Sequence, residues 1–439
     1  MISEDITPPA LILRWQGLIQ STDQQRKRFE VLAGLLLALL FATLPLVSRI
    51  GLGLAILAAG SLWVLWALVT PAGPIRNLSL CLLIFLSIAV LATGFSPVPQ
   101  AASKGLIKLI SYLGVFALIR QLLASQSIWW DRIVAAILAG ELAASVLALR
   151  QLYGSAEELA NWADPNSVAE GTIRIYGPLG NPNLLAGYLI PILPLALAAL
   201  LRWKSLGAKA YAGVALGLGC LATLYTYSRG GWLGMIASLG VMVLLVALRA
   251  TRHWPLFWRR VLPLGLILIS TALLCIAVTQ IEPIRTRVLS LVAGRGDSSN
   301  NFRINVWLAA LDMIRDRPWL GIGPGNAAFN SIYPLYQQPR FNALSAYSVP
   351  LEILVETGIP GLMACIALLM TCIKRGWTAL GVNSYLAIPC LASLASIAGL
   401  LTQGITDTIF FRPEVQLVGW FCVATLSQPI TPSEASNAA

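Results

Sequence analysis

Histidine is almost missing from this 439-residue sequence, which carries only His253, and carboxylates are sparse, at 19 against 30 basic residues. One imidazole excludes a histidine-built metal centre. Charged residues of both signs reach only 11% of the chain while hydrophobic ones reach 57%, too few charges to coat a soluble domain of this size. The seven cysteines, Cys81, Cys220, Cys275, Cys365, Cys372, Cys390 and Cys422, all fall inside apolar runs. None has metal-ligand spacing and none lies in a connection expected outside the membrane, so they read as packing residues without a disulfide framework. No metal and no cofactor is expected.

Long apolar runs fill most of the chain instead. Each is roughly 17–24 residues long, which matches the hydrocarbon core of a bilayer. The expected fold is therefore all-α, a polytopic transmembrane helical bundle of about 12 spans. The runs lie near 31–48, 50–70, 78–94, 105–124, 132–150, 183–201, 210–226, 231–248, 261–280, 350–373, 384–404 and 415–428. This divides the chain into an N-terminal tail over 1–30, a membrane domain over 31–428 and a polar C-terminal tail over 429–439. The first run has no small-residue cleavage site behind it and reads as an uncleaved span. The formal charge of +11 does not imply nucleic acid, because many basic residues sit between the runs, where they orient helices. Arg26, Lys27, Arg28, Arg76, Arg120, Arg132, Arg202, Lys204, Lys209, Arg249, Arg252, Arg259, Arg260, Lys374 and Arg375 fall on one side. That side is expected to be cytoplasmic, with both termini, in the plasma (inner) membrane.

The opposite connections differ in kind. Residues 151–182 begin acidic, with Glu157, Glu158, Asp164 and Glu170, and end rich in Gly, Pro and Asn. Residues 281–349, between the ninth and tenth spans, form the longest polar stretch, too long for a turn and expected to be ordered. Within it the amphipathic segment Phe302–Arg315 predicts a helix behind the cap-like run Ser298-Ser299-Asn300-Asn301, ending near Pro318. There is no evident internal repeat, which weighs against an inverted-repeat transporter.

Four features meet on this expected outer face. In Gly177-Pro178-Leu179-Gly180-Asn181-Pro182-Asn183, Asn181 can cap the following span, and its free amides either favour an anion or serve only a rigid helix start. In Thr226-Tyr227-Ser228-Arg229-Gly230-Gly231-Trp232, a guanidinium held in a tight turn needs an anionic or carbonyl partner. Ser228 and two glycines leave close access to Arg229, which favours a binding role over simple snorkelling. In the long loop, helical spacing sets Arg303 and Trp307 on one face. The glycines of Gly321-Ile322-Gly323-Pro324-Gly325 make no dinucleotide fingerprint and read as a corner packing against the bundle. Finally, Tyr347-Ser348 is followed after nine residues by Gly358-Ile359-Pro360-Gly361, with Glu352 and Glu356 four apart between them. Those carboxylates read best as a counter-charge to Arg229 or Arg303.

In this order, YGPLGNPN, YSRGGWL, RINVW…RPWLGIGPGN and YS…LVETGIPG resemble the O-antigen ligase and polymerase superfamily over roughly residues 170–370. The AYS…LE…VETG stretch is similar to the cyanobacterial branch named for inorganic carbon (bicarbonate) transport. The resemblance implies a GT-C-like helical fold and an outer cavity where Arg229 and Arg303 hold an anion, with Asn181, Asn183 and Ser228 beside them and Trp307, Glu352, Glu356, Gly358 and Gly361 in support. In the ligases a histidine heads the H-(N/S/Q)-x9-G-x-x-G pattern and activates the acceptor. Tyr347 holds that position here, and a phenol that titrates near 10 is a poor base at neutral pH. The branch resemblance implies bicarbonate binding or uptake. The wider superfamily implies a glycosyltransferase acting on an undecaprenyl-pyrophosphate-linked glycan, and a non-catalytic accessory membrane protein is the third reading. The partners expected are the bilayer and a small anion or lipid-linked glycan, with no nucleic acid.

Overall fold

A computed structural model describes residues 10–70, 77–154, 174–255 and 294–429, together with isolated positions between 257 and 285. Among these residues every regular element is a helix, and nine helices are long and apolar enough to cross a membrane. The protein is a polytopic helical membrane protein. The expected ninth span, 261–280, lies largely outside the described residues, as do the acidic run at 155–173 and the C-terminal tail.

Helix α1 (Ala10–Thr43) starts well ahead of the expected apolar run, inside the segment read as a tail, and stops where Pro45 cannot donate to the next turn. Ser48 then caps α2 (Arg49–Val69), its Oγ accepting from the Gly51 amide at 3.2 Å. Next come α3 (Asn77–Gly94), α4 (Pro99–Ser125) and α5 (Ile128–Arg150). The span expected at 183–201 is present as Pro182–Arg202, interrupted at Ile190-Pro191 into α6 (Pro182–Leu189) and α7 (Ile192–Arg202). Pro191 and Pro194 remove two helix donors there, and Ser396 Oγ donates to the Pro191 carbonyl at 2.6 Å, tying the break to α13. Helices α8 (Leu206–Tyr225) and α9 (Arg229–Ala250) are capped by Ser205 and Ser228. The loop carries α10 (Ser298–Asp316) and α11 (Asn326–Ile332), and the bundle closes with α12 (Val349–Gly381), α13 (Ala387–Gly404) and α14 (Pro413–Ser427).

Two of these elements correct the sequence reading. The cap of α10 is Asp297, whose Oδ1 accepts from the Asn300 amide at 3.0 Å, so the Ser-Ser-Asn-Asn run is already helix. Helix α14 spans only about 22 Å at helical rise, short of the roughly 30 Å hydrocarbon core. It packs between α4 and α13 and is buried from Val415 to Ser427, so protein surrounds it where a longer helix would meet lipid.

The core runs through Phe41, Trp66, Trp130, Tyr188 and Phe421, all nearly or fully removed from solvent. The two ends of the bundle differ in charge. At one end, Arg202 pairs with Asp131 at 2.8 Å and lies over the Tyr385 ring, while Arg249 donates to the Ala379 and Val382 carbonyls at 2.7 and 2.9 Å. We call this the basic end. At the other, the loop end, α10 packs on α12 and α11 on α4.

Gly358 makes that docking possible. It breaks α12 with φ 66° and ψ −168°, and Pro360 has no amide to offer the Glu356 carbonyl. The Ile359 amide turns out to the Pro318 carbonyl at 2.8 Å. The two carbonyls thus freed, Val355 and Glu356, accept from Ile322 and Gly323 of the loop at 2.9 and 3.0 Å. The helix has exchanged its own hydrogen bonds for bonds to the loop. The glycine corner therefore packs against the bundle, as its composition suggested.

Candidate functional site

The first turn of α6 forms one wall. Asn181 Oδ1 accepts from the Asn183 and Leu184 amides at 2.8 and 3.2 Å, which occupies it as a cap. Asn183 is a junction. Its Oδ1 accepts from Arg174 at 2.9 Å, its side chain also hydrogen-bonds Asp407, and its carbonyl accepts from Gln403 at 3.0 Å. Arg174 reaches on to the Thr226 carbonyl at 2.9 Å, tying this wall to the next turn.

That turn carries Tyr227 at φ 48°, a left-handed position costly for a residue with a Cβ. Ser228 is buried, and its Oγ accepts from the Gly231 amide at 3.2 Å. Arg229 follows as the first residue of α9 and pairs with Asp297 Oδ1 at 3.0 Å; the two side chains are 11% and 1% exposed. The same aspartate oxygen caps α10, so one carboxylate both starts the loop helix and engages the membrane turn.

Arg303 lies in the second turn of α10. It donates to Ser299 Oγ at 2.8 Å, while its Nε is buried without a partner. Burial pulls the guanidinium below its usual value; Asp407 opposes this, and Arg229 adds to it. On Asp407 burial acts the other way and raises the carboxyl above its ordinary range, with Arg303 as the largest opposing influence. Tyr347 completes the group at φ 50°, its ring edge-on to Phe302 at 5.3 Å and its carbonyl accepting from Trp307 Nε1 at 3.3 Å. Burial, then Asp407, pushes its hydroxyl further up, away from use as a base. Arg303 and Trp307 do share a face, and it is turned to Tyr347.

A chamber of about 850 Å³ opens beside this cluster, walled by Asn181, Asn183, Tyr347, Glu352 and Asp407. Its cations are Arg49, Lys108 and Arg412, with Glu414 nearby on the wall. Arg229 and Arg303 do not form part of this wall. They stand behind it, engaged by acceptors of the loop itself. Arg49, Arg174, Asp297, Asp407 and Arg412 carry no motif that would single them out in the sequence. Glu352 and Glu356 also depart from their expected use as counter-charges. Glu352 accepts from the Ala346 amide and Glu356 from the Gly325 amide at 2.8 Å, so both pin loop backbone. Gly361 packs against Thr357, a turn beyond the break at Gly358. Among the described residues no three His, Cys, Asp or Glu side chains come together to hold a metal ion.

A second, apolar slot of about 330 Å³ adjoins the chamber and shares Lys108, Tyr112, Asn326 and Phe411 with it. Leu368, Leu369, Cys372 and Val423 line its depth. The combined space has a polar, cation-bearing mouth and a hydrocarbon-like interior.

Residues 212–366 match the family model described as O-Antigen ligase, and over that stretch the chain is O-antigen ligase-like. The matched part runs from α8 into α12 and includes Arg229, Arg303 and Tyr347. It excludes Asn183 and Asp407. No curated protein matches the chain.

Proposed function

We propose that this O-antigen ligase-like membrane protein binds an anionic, lipid-linked glycan at its loop end, with phosphate in the chamber and the hydrocarbon chain in the adjoining slot. The observation that carries this reading is the continuity of the two spaces through Lys108 and Tyr112. A small monovalent anion would use little of an 850 Å³ chamber and none of the slot. Lys108, Arg412 and Arg49 are the cations placed to meet phosphate oxygens. The loop end faces outward in this reading, and the basic end faces the cytoplasm of the plasma membrane. With Tyr347 at the ligases' histidine position, glycosyl transfer would need another proton acceptor, and Asp407 stands on the same wall.

The test is binding of undecaprenyl pyrophosphate by purified protein in detergent, with Lys108→Gln and Arg412→Gln as variants. Each loss of a charge-assisted contact should weaken binding by about tenfold. No binding, or binding indifferent to both changes, refutes the reading. Bicarbonate uptake is the second reading, favoured by Tyr347 replacing the base and by the branch similarity at Ala346-Tyr347-Ser348. Transport of labelled bicarbonate into liposomes, abolished by Arg412→Gln, would decide for it.

A further inference from the structure

A further groove of about 820 Å³ runs between α2, α3 and α4 and ends at the basic end of the bundle. Its length is apolar, with Leu83, Leu86, Ile110 and Phe116 among its walls. Its basic end is polar, where Arg26 and Arg120 stand beside Trp66, Ser79 and Gln121. Three atoms there are buried with no hydrogen-bond partner: Trp66 Nε1, Ser79 Oγ and Gln121 Oε1. Trp66 is only 1% exposed, so its indole N–H has no water to turn to. A buried donor left unmet is costly, and tryptophan at such a depth normally finds an acceptor.

We infer that this end of the groove binds an anionic glycerophospholipid with a hydroxyl-bearing headgroup, its phosphate between Arg120 and Arg26 and one acyl chain along α2 and α4. The chemistry is complementary at Trp66, Gln121 and the two arginines. Phosphate or ester oxygens accept from Trp66 and the arginines, while headgroup hydroxyls donate to Gln121 Oε1. The groove meets the loop-end chamber at Ile56, Leu57 and Ser111, so a polyprenyl tail descending from that chamber is the competing occupant. Such a tail is hydrocarbon at its far end and offers nothing to an indole N–H or two guanidinium groups. The inference does not depend on what the chamber binds.

Native mass spectrometry of the purified full chain, titrated with phosphatidylglycerol, phosphatidylcholine or undecaprenyl phosphate, tests it. Phosphatidylglycerol should occupy one site and bind about tenfold tighter than phosphatidylcholine. Arg120→Gln should abolish that preference. Trp66→Phe, which keeps the ring and removes only the donor, should weaken binding severalfold in protein that still elutes as a single species. Equal binding of the two phospholipids, indifference to both substitutions, or displacement of phosphatidylglycerol by undecaprenyl phosphate at equal concentration would overturn the assignment.

Discussion

Asp407 illustrates how much one side chain can change a site. It shares a wall with Tyr347 and Asn183, and Arg303 and Arg174 act on it from α10 and from the strap before α6. Its carboxyl titrates above the ordinary range because burial outweighs those cations. The folded state therefore favours the neutral form. That contribution is fully present below the unfolded value of about 4 and is lost as pH rises through the raised one. Thermal unfolding of the wild type against Asp407→Asn should show this as a difference in midpoint. The variant gains relative to the wild type as pH increases, and identical pH profiles would refute the assignment. The sequence offered no pointer to Asp407, because Thr406-Asp407-Thr408 resembles any short polar turn between two spans.

At the scale of elements, the joint between the loop and α12 is where small changes should be most costly. A Cβ at Gly358 would lie 2.3 Å from the Trp319 carbonyl, on backbone already at φ 66°. At Gly105 of α4 it would lie 1.9 Å from the Pro324 carbonyl. Gly358→Ala and Gly105→Ala should each destabilise by about 3 kcal/mol or more, since neither backbone can yield cheaply. Gly53→Ala, with nothing within 4 Å, should be neutral or slightly stabilising. Midpoints in the same detergent would compare all three, and equal midpoints would show that the joint does not hold the loop.

Most helices were legible from apolar length alone, since a bilayer imposes that length irrespective of partners. The exceptions have physical causes. The Ile190-Pro191 break keeps apolar residues on both sides, so composition cannot see it. Helix α14 is enclosed by protein and escapes the length requirement. Helix α10 begins four residues ahead of the expected Phe302, because Asp297 and each residue of the Ser-Ser-Asn-Asn run are good caps and only geometry chooses among them. The glycine corner is legible in its composition, whereas the partners of Glu352 and Glu356 are not. Backbone amides from a distant loop have no signature in side-chain order.

For the whole molecule, the charge asymmetry between the ends predicts sidedness. Leu335 at the loop end and Leu206 at the basic end are exposed, at 77% and 83%. Single cysteines placed there should react oppositely in intact cells. A membrane-impermeant maleimide should label Leu335→Cys and spare Leu206→Cys until the membrane is opened. The reverse pattern would invert the molecule and move the chamber to the cytoplasm.

The contact between Arg229 and Asp297 has one more implication. An aspartate fixed to the same chain is a permanent local competitor, present at an effective concentration of order millimolar or above. A singly charged solute at micromolar levels loses that contest for the guanidinium. The pair therefore fastens the loop helix to the membrane turn behind the chamber wall, and leaves ligand charge to Arg49, Lys108 and Arg412.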